Sequence, residues 1–319
     1  MSKHTFLIFG LALLITACGG GGRDQETAPG SGGELPEGIQ AFSLLGEPLF
    51  APEPSDTALE QYKEAKAIYE QNPDDADAVI WYGRRTAYLG QYREAIEIYT
   101  EGIHKFPGDA RFYRHRGHRF ISVREFDKAV ADLTKAGELI EETEDTVEPD
   151  GMPNDRNIPL STLHTNIWYH LGLAYYLQHD FEKAVPVYKK GIQACRNDDM
   201  LSAFSHWFYM TYRRLGLEEE AAAAVEPIHA DMEIIENQSY HDLCLLYKGE
   251  IEINDVYDAK DTGTPSNDAL AYGIGNWYFY NGKPDQAEAV FREIIAGGNW
   301  ASFGYIAAEA DLARKFSPK

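Results

Sequence analysis

Residues 168–184, WYHLGLAYYLQHDFEKA, place a glycine at 172, aromatic rings at Trp168, Tyr175 and Phe181, and a second small residue at Ala184. The same arrangement recurs upstream. Gly83, Tyr92, Ala95 and Tyr99 are followed 34 residues later by Gly117, Phe126, Ala129 and Leu133, and, after an insertion, by Gly172, Phe181, Ala184 and Tyr188. A fixed period of this length is the mark of stacked supersecondary units that cannot bury their apolar faces alone. The small residues let two helices approach closely, and the rings fill the joint with the next pair.

This spacing resembles the tetratricopeptide repeat, with a small residue at repeat position 8, an aromatic at 17, Ala at 20, an aromatic at 24 and Pro at 32. Repeats fall at 76–109 (ending on Pro107), 110–143, 165–198, 202–235 and 268–301. The resemblance implies an all-α fold, a tetratricopeptide-type α-solenoid of antiparallel helix pairs, with five to six repeats and capping helices over 41–319. Segment 56–73 is in phase with a second helix and opens the array; residues 236–267 read as a shortened unit, and SFGYIAAEADLARK (302–315) as an amphipathic closing helix. Gly90, Gly216 and Gly282 sit at the turns within pairs, where left-handed backbone costs glycine little. Pro186 and Pro227 fall inside the second helices of repeats 3 and 4, where each removes a backbone bond and is expected to bend its helix. The insertion 144–164, acidic and then proline-containing, reads as a surface loop.

Repeat phase also assigns RFYRHRGHRF, residues 111–120, to the first helix of repeat 2. Tyr113, Gly117 and Phe120 face the partner helix; Arg111, Arg114 and His118 form an i, i+3, i+7 stripe. In the family these positions line the concave surface. The same phase adds Arg84 and Tyr88, Tyr169 and Tyr176, His206, Arg213 and Arg214, then Tyr272, Asn276 and Tyr280. This inferred groove holds five arginines, with Asp77 the acid at these first-helix positions. It is read as a site for an extended, acidic or C-terminal segment of a protein partner, with Arg taking carboxylates and Tyr giving rigid contact area. Pairing of the same arginines with acidic residues near 138–150 is the competing reading. Arg116 stands where the family usually has Leu.

The N-terminus reads separately. Lys3 precedes the apolar run Phe6–Ile15, too short to span a bilayer, and Ile15-Thr16-Ala17-Cys18 resembles the lipobox of bacterial lipoproteins. That resemblance implies a signal peptide over 1–17, a lipid anchor on Cys18, a Gly-rich tether over 18–40, and a place in the cell envelope: the outer membrane, facing periplasm or cell surface, where there are two membranes. Cys195 and Cys244 remain, with two small buried hydrophobes the expectation over a disulfide.

A formal net charge of minus 22 disfavours nucleic acid as a partner. No HExxH, GxSxG, GxxxxGK[ST] or CxxC occurs, so neither catalytic residues nor a cofactor are assigned; His115 and His118, three apart, could share a metal with His170 or His164 as a third ligand, but no Cys or carboxylate is placed by motif to complete the shell. The function expected is a noncatalytic scaffold binding other envelope proteins. Recognition of a small anionic or glycan ligand in the same groove is the alternative, and an enzyme of unidentified chemistry the third.

Overall fold

The first helix of each early pair starts where a short polar side chain accepts a hydrogen bond from the incoming turn. Asp75 and Asp109 do so for Asp77 and Arg111, Asn197 for Met200, and Thr162 closes a capping box with Thr165. The computed structural model describes residues 35–257 and 265–315. The leader 1–17, Cys18 and the tether as far as residue 34 lie outside the described residues, among which no helix is long and apolar enough to cross a membrane.

After α1 (Asp56–Gln71) come the pairs α2 (Ala76–Tyr88) with α3 (Tyr92–Lys105), α4 (Ala110–Ser122) with α5 (Phe126–Leu139), and α6 (Leu163–Leu177) with α7 (Phe181–Ala194). Next are α8 (Asp198–Leu215) with the short α9 (Glu218–Val225), then α10 (Gln238–Lys248) and α11 (Ile253–Val256). The pair α12 (Pro265–Tyr280) and α13 (Pro284–Gly297) precedes α14 (Phe303–Lys315). Within pairs the repeat residues meet as their sizes require. Ala95, Ala129 and Ala184 are fully buried, and a Cβ on Gly172 would stand 2.4 Å from the Tyr188 ring. Pro186 lies inside a continuous α7. Pro227 does not lie in a helix: α9 stops at Val225, because proline cannot supply the next backbone donor.

Each pair turns at repeat position 15 through a left-handed residue: Gly90 (φ 77°), Arg124 (64°), His179 (60°), Gly216 (75°) and Gly282 (75°). Two of the five corners thus carry a side chain in a conformation costing about 1 kcal/mol. Both side chains reach α14.

The closing helix does not cap the outer end. It lies inside the curve, packed on α12 and α13 and also on α6. Phe303 sits with its ring centroid 5.3 Å from His118 and 5.6 Å from His170. Residues Tyr305 to Leu312 are all buried, so α14 is interior on every side. An antiparallel hairpin, β1 (Ile39–Phe42) and β2 (Pro48–Phe50), reaches into the stretch assigned above to the tether. It buries Ala41 and Leu49 in the main core, and its Gln40 carbonyl accepts from Arg93 Nε at 2.7 Å. Trp300 Nε1 donates to the Phe50 carbonyl at 2.9 Å, which joins the hairpin to the turn before α14.

Candidate functional site

Most of the phase-selected side chains lie beneath two other segments of the same chain, which cover them. Over repeats 1 and 2 the filler is the insertion. It is pinned at its stem, where Glu148 N donates to the Ser161 carbonyl and Leu163 N to the Thr146 carbonyl, and it runs across α2 and α4. Arg84 donates to the Pro149 carbonyl at 2.8 Å and Arg85 to the Gly151 carbonyl at 2.9 Å. The Glu148 carboxylate lies 3.1 Å from Arg114 and accepts from Asn166 Nδ2 at 3.1 Å. Gly151 lies so close to Tyr88 that a Cβ there would stand 1.9 Å from the hydroxyl. The insertion is therefore not a loop free on the surface, as the sequence reading has it; Glu148 and Gly151 are buried while Val147 and Met152 are 59% and 77% exposed.

Electrostatics beneath it are lopsided. Arg84, Arg114 and Arg119 are each no more than 9% exposed, with Glu148 the carboxylate at Arg114 and Arg119 laid over the Tyr92 ring. Arg114 Nε is buried without a partner. Burial outweighs Glu148 and pulls the Arg114 pKa down from its usual value. Arg114 NH1, which can only donate, points at His115 Nδ1 at 2.9 Å, so the His115 proton sits on Nε2, toward Glu148. Burial, and then nearby guanidinium groups, hold His115, His118 and His170 well below the usual histidine pKa.

Over repeats 2 to 5 the filler is α14. Arg124 donates to Glu309 at 2.5 Å, and Arg214 pairs with Asp311, whose other oxygen is 3.1 Å from His179 Nε2. Glu309 and Asp311 are 0% and 1% exposed. Tyr272 donates to Asp311 at 3.0 Å and shares a bond of 2.9 Å with Tyr176, which accepts from Asn276 Nδ2 at 2.8 Å. Burial would raise the Asp311 pKa, yet Arg214 and His179 bring it below the ordinary carboxylate value.

The remaining sequence-selected residues divide in two. Tyr169 is buried, accepting from Trp207 Nε1 at 2.8 Å, and His206, fully buried and held by that burial to a pKa of about 3, stacks between Tyr240 and Tyr247. These two are core. Arg111 is at the rim, pairing with Asp109 and Asp77, and Arg213 lies 4.4 Å over the Tyr280 ring. Tyr113 is half-buried, packed against the cluster that includes Ala136 of the partner helix, with its hydroxyl donating to the Pro107 carbonyl. Arg116 has its explanation here: it grips Asp132 through Nε at 2.7 Å and NH2 at 2.8 Å, and donates to Thr100 at 3.0 Å.

Sequence reasoning missed Arg85, Arg124, His179, Glu309 and Asp311, whereas Glu148 belongs to the acidic 138–150 stretch of the competing reading, and it does pair with Arg114. A signal existed for two of them, since Arg124 and His179 break the glycine pattern at position 15. Cys195 and Cys244 are free thiols. Among the described residues, no group of three His, Cys, Asp or Glu is placed to hold a metal. A cleft of about 350 Å³ opens on the other side of the array, lined by Gly137, Trp168, Pro186 and Lys190.

Residues 165–198 match the tetratricopeptide repeat family. Among curated proteins, the chain is 24% identical to BBSome complex member BBS4 of Bos taurus over 151 residues, 47% of this chain and 24% of that protein. The chain thus spans about a quarter of that relative's length. Similar solved structures include a tetratricopeptide repeat protein from Parabacteroides merdae (14% identity, TM-score 0.47, 75% of this chain and 86% of that one). Another is YrrB, described as a TPR protein with an unusual peptide-binding site (16% identity, TM-score 0.42, 74% and 93%). The helix pairs, their 34-residue period and the matched repeat make this an all-α, tetratricopeptide-type fold.

Proposed function

We propose that this protein is a noncatalytic scaffold for protein–protein interaction, held at a bacterial envelope by lipid on Cys18, that takes acidic segments of partner proteins on its basic and aromatic inner surface. One observation carries the reading. In a chain of net charge minus 22, that surface collects buried arginines and selects carboxylates: Glu148, Glu309 and Asp311 are all drawn to it. Buried guanidinium groups that fork onto carboxylates discriminate strongly against neutral segments. A partner enters at the rim, where Arg111 is 38% exposed along its side chain and Tyr88 and Trp81 are half-buried. The lipobox resemblance and the Gly-rich stretch after Cys18 support tethering, which raises the effective concentration of the surface near the membrane.

Affinity capture and crosslinking from intact envelopes test this. Wild type recovers partners that Arg85→Glu, Arg111→Glu loses; equal recovery of the same partners by both overturns the reading. Separately, Cys18→Ser moves the protein from the membrane to the soluble fraction, and continued sedimentation with membranes would sink the anchor.

A further inference from the structure

We infer that residues 147–151, Val-Glu-Pro-Asp-Gly, are a ligand in cis: they occupy, over repeats 1 and 2, the binding site of an acidic, extended partner peptide of the same chemistry, which displaces them. This rests on the scaffold reading and names the occupant and the control of its site.

The segment is bound as a peptide is bound. Its Glu148 carboxylate goes to Arg114 and Asn166, the Pro149 and Gly151 carbonyls go to Arg84 and Arg85, and its glycine admits the Tyr88 ring. Contacts alternate with exposure: Glu148 and Gly151 point in, Val147, Pro149 and Met152 point out. Such a segment can leave without opening the core. In this it differs from α14, whose residues Tyr305 to Leu312 are enclosed on all sides.

Charge shows what replaces it. Beneath the segment, Arg84 and Arg114 stand as buried cations, with the buried Arg119 close enough to act on Arg114, and Glu148 is the carboxylate that the segment supplies. Arg114 Nε, buried and without an acceptor, is a donor the cis segment leaves unused. A peptide with a glutamate before proline and a further carboxylate satisfies the site better than the chain's own loop, whose Asp150 is not bonded to these arginines. Self-occupancy lowers apparent affinity by the fraction of time the site is open, so a partner must out-compete an intramolecular ligand.

The experiment uses the full chain and a dye-labelled peptide, TVEPDGMPN, read by fluorescence anisotropy. Two variants free the site by different means. Glu148→Ala removes the cis carboxylate, and Gly151→Val, whose Cβ would collide with Tyr88, pushes the segment off while leaving the buried charges unchanged. Each, verified as folded by circular dichroism, is expected to bind the peptide at least tenfold more tightly than wild type. A peptide with Gln for Glu loses that gain, as does adding Arg84→Gln. Binding by either folded variant no tighter than by wild type, or equal binding of the Gln peptide, overturns the inference. Should that occur while envelope capture still depends on Arg85 and Arg111, the scaffold reading stands and partners use another surface.

Discussion

Arg124 and His179 occupy equivalent left-handed corners, yet glycine should have opposite consequences at the two. Arg124→Gly relieves about 1 kcal/mol of backbone strain but strands the buried Glu309 carboxylate, which also accepts from Leu44 N, with a penalty of about 3 kcal/mol. A net loss of about 2 kcal/mol in urea unfolding is expected. His179→Gly leaves Asp311 paired with Arg214 and should fall within about 0.5 kcal/mol of wild type. Arg116→Leu, a return to the family's usual residue, abandons Asp132, which is 7% exposed, and should cost about 3 kcal/mol. Adding Asp132→Leu should recover most of it, a coupling that a double-mutant cycle measures. The histidines set a pH dependence. In the unfolded chain they titrate near the ordinary value of about 6.5, whereas in the folded chain His115, His118, His170 and His206 stay neutral well below it. Stability is therefore complete at neutral pH. It falls as pH drops below about 6.5, each buried histidine withdrawing about 1.4 kcal/mol per pH unit until its folded pKa is reached. A urea midpoint that is flat between pH 7 and 5 would contradict this.

At the scale of elements, the helix pairs were legible because one period constrains several residue types at once: glycine, ring, alanine, ring. The hairpin was not, since strands of four and three residues carry too little alternation to stand out. Closing helix α14 was visible as a helix but misplaced in space. Its alanines on every face, Ala307, Ala308, Ala310 and Ala313, mark a helix with neighbours all round, a sign that periodicity alone does not weigh. Repeat phase selected Arg214 but not Arg124, and their partners lie 97 and 185 residues away in sequence, beyond any local rule. The nearer partner, Glu148, is offered by an insertion without periodicity, whose path depends on its stem. Thr162 both caps α6 and bridges to Val147, so Thr162→Ala should cost about 1 kcal/mol. Hydrogen exchange should quicken at the amides of Glu148 and Leu163 together, and faster exchange at only one would show that cap and stem are independent.

For the whole molecule, the contacts of α14, Trp300 and the hairpin have a consequence for how it comes apart. An open array of repeats behaves nearly as a one-dimensional chain: each unit feels its neighbours, the ends fray first, and unfolding spreads along the row. Here Trp300 meets Tyr92 edge-on at 5.4 Å, and Arg124 binds Glu309, so the first repeats and the last are also neighbours. The row is closed back on itself at α3 and the α4–α5 corner, with α1, packed on α2, left outside the closure. Unfolding should then be a single transition, with helix content and tryptophan fluorescence lost at the same urea concentration. Ending the chain at Gly298 cuts this closure, and the two signals should separate as the array melts from a newly created end.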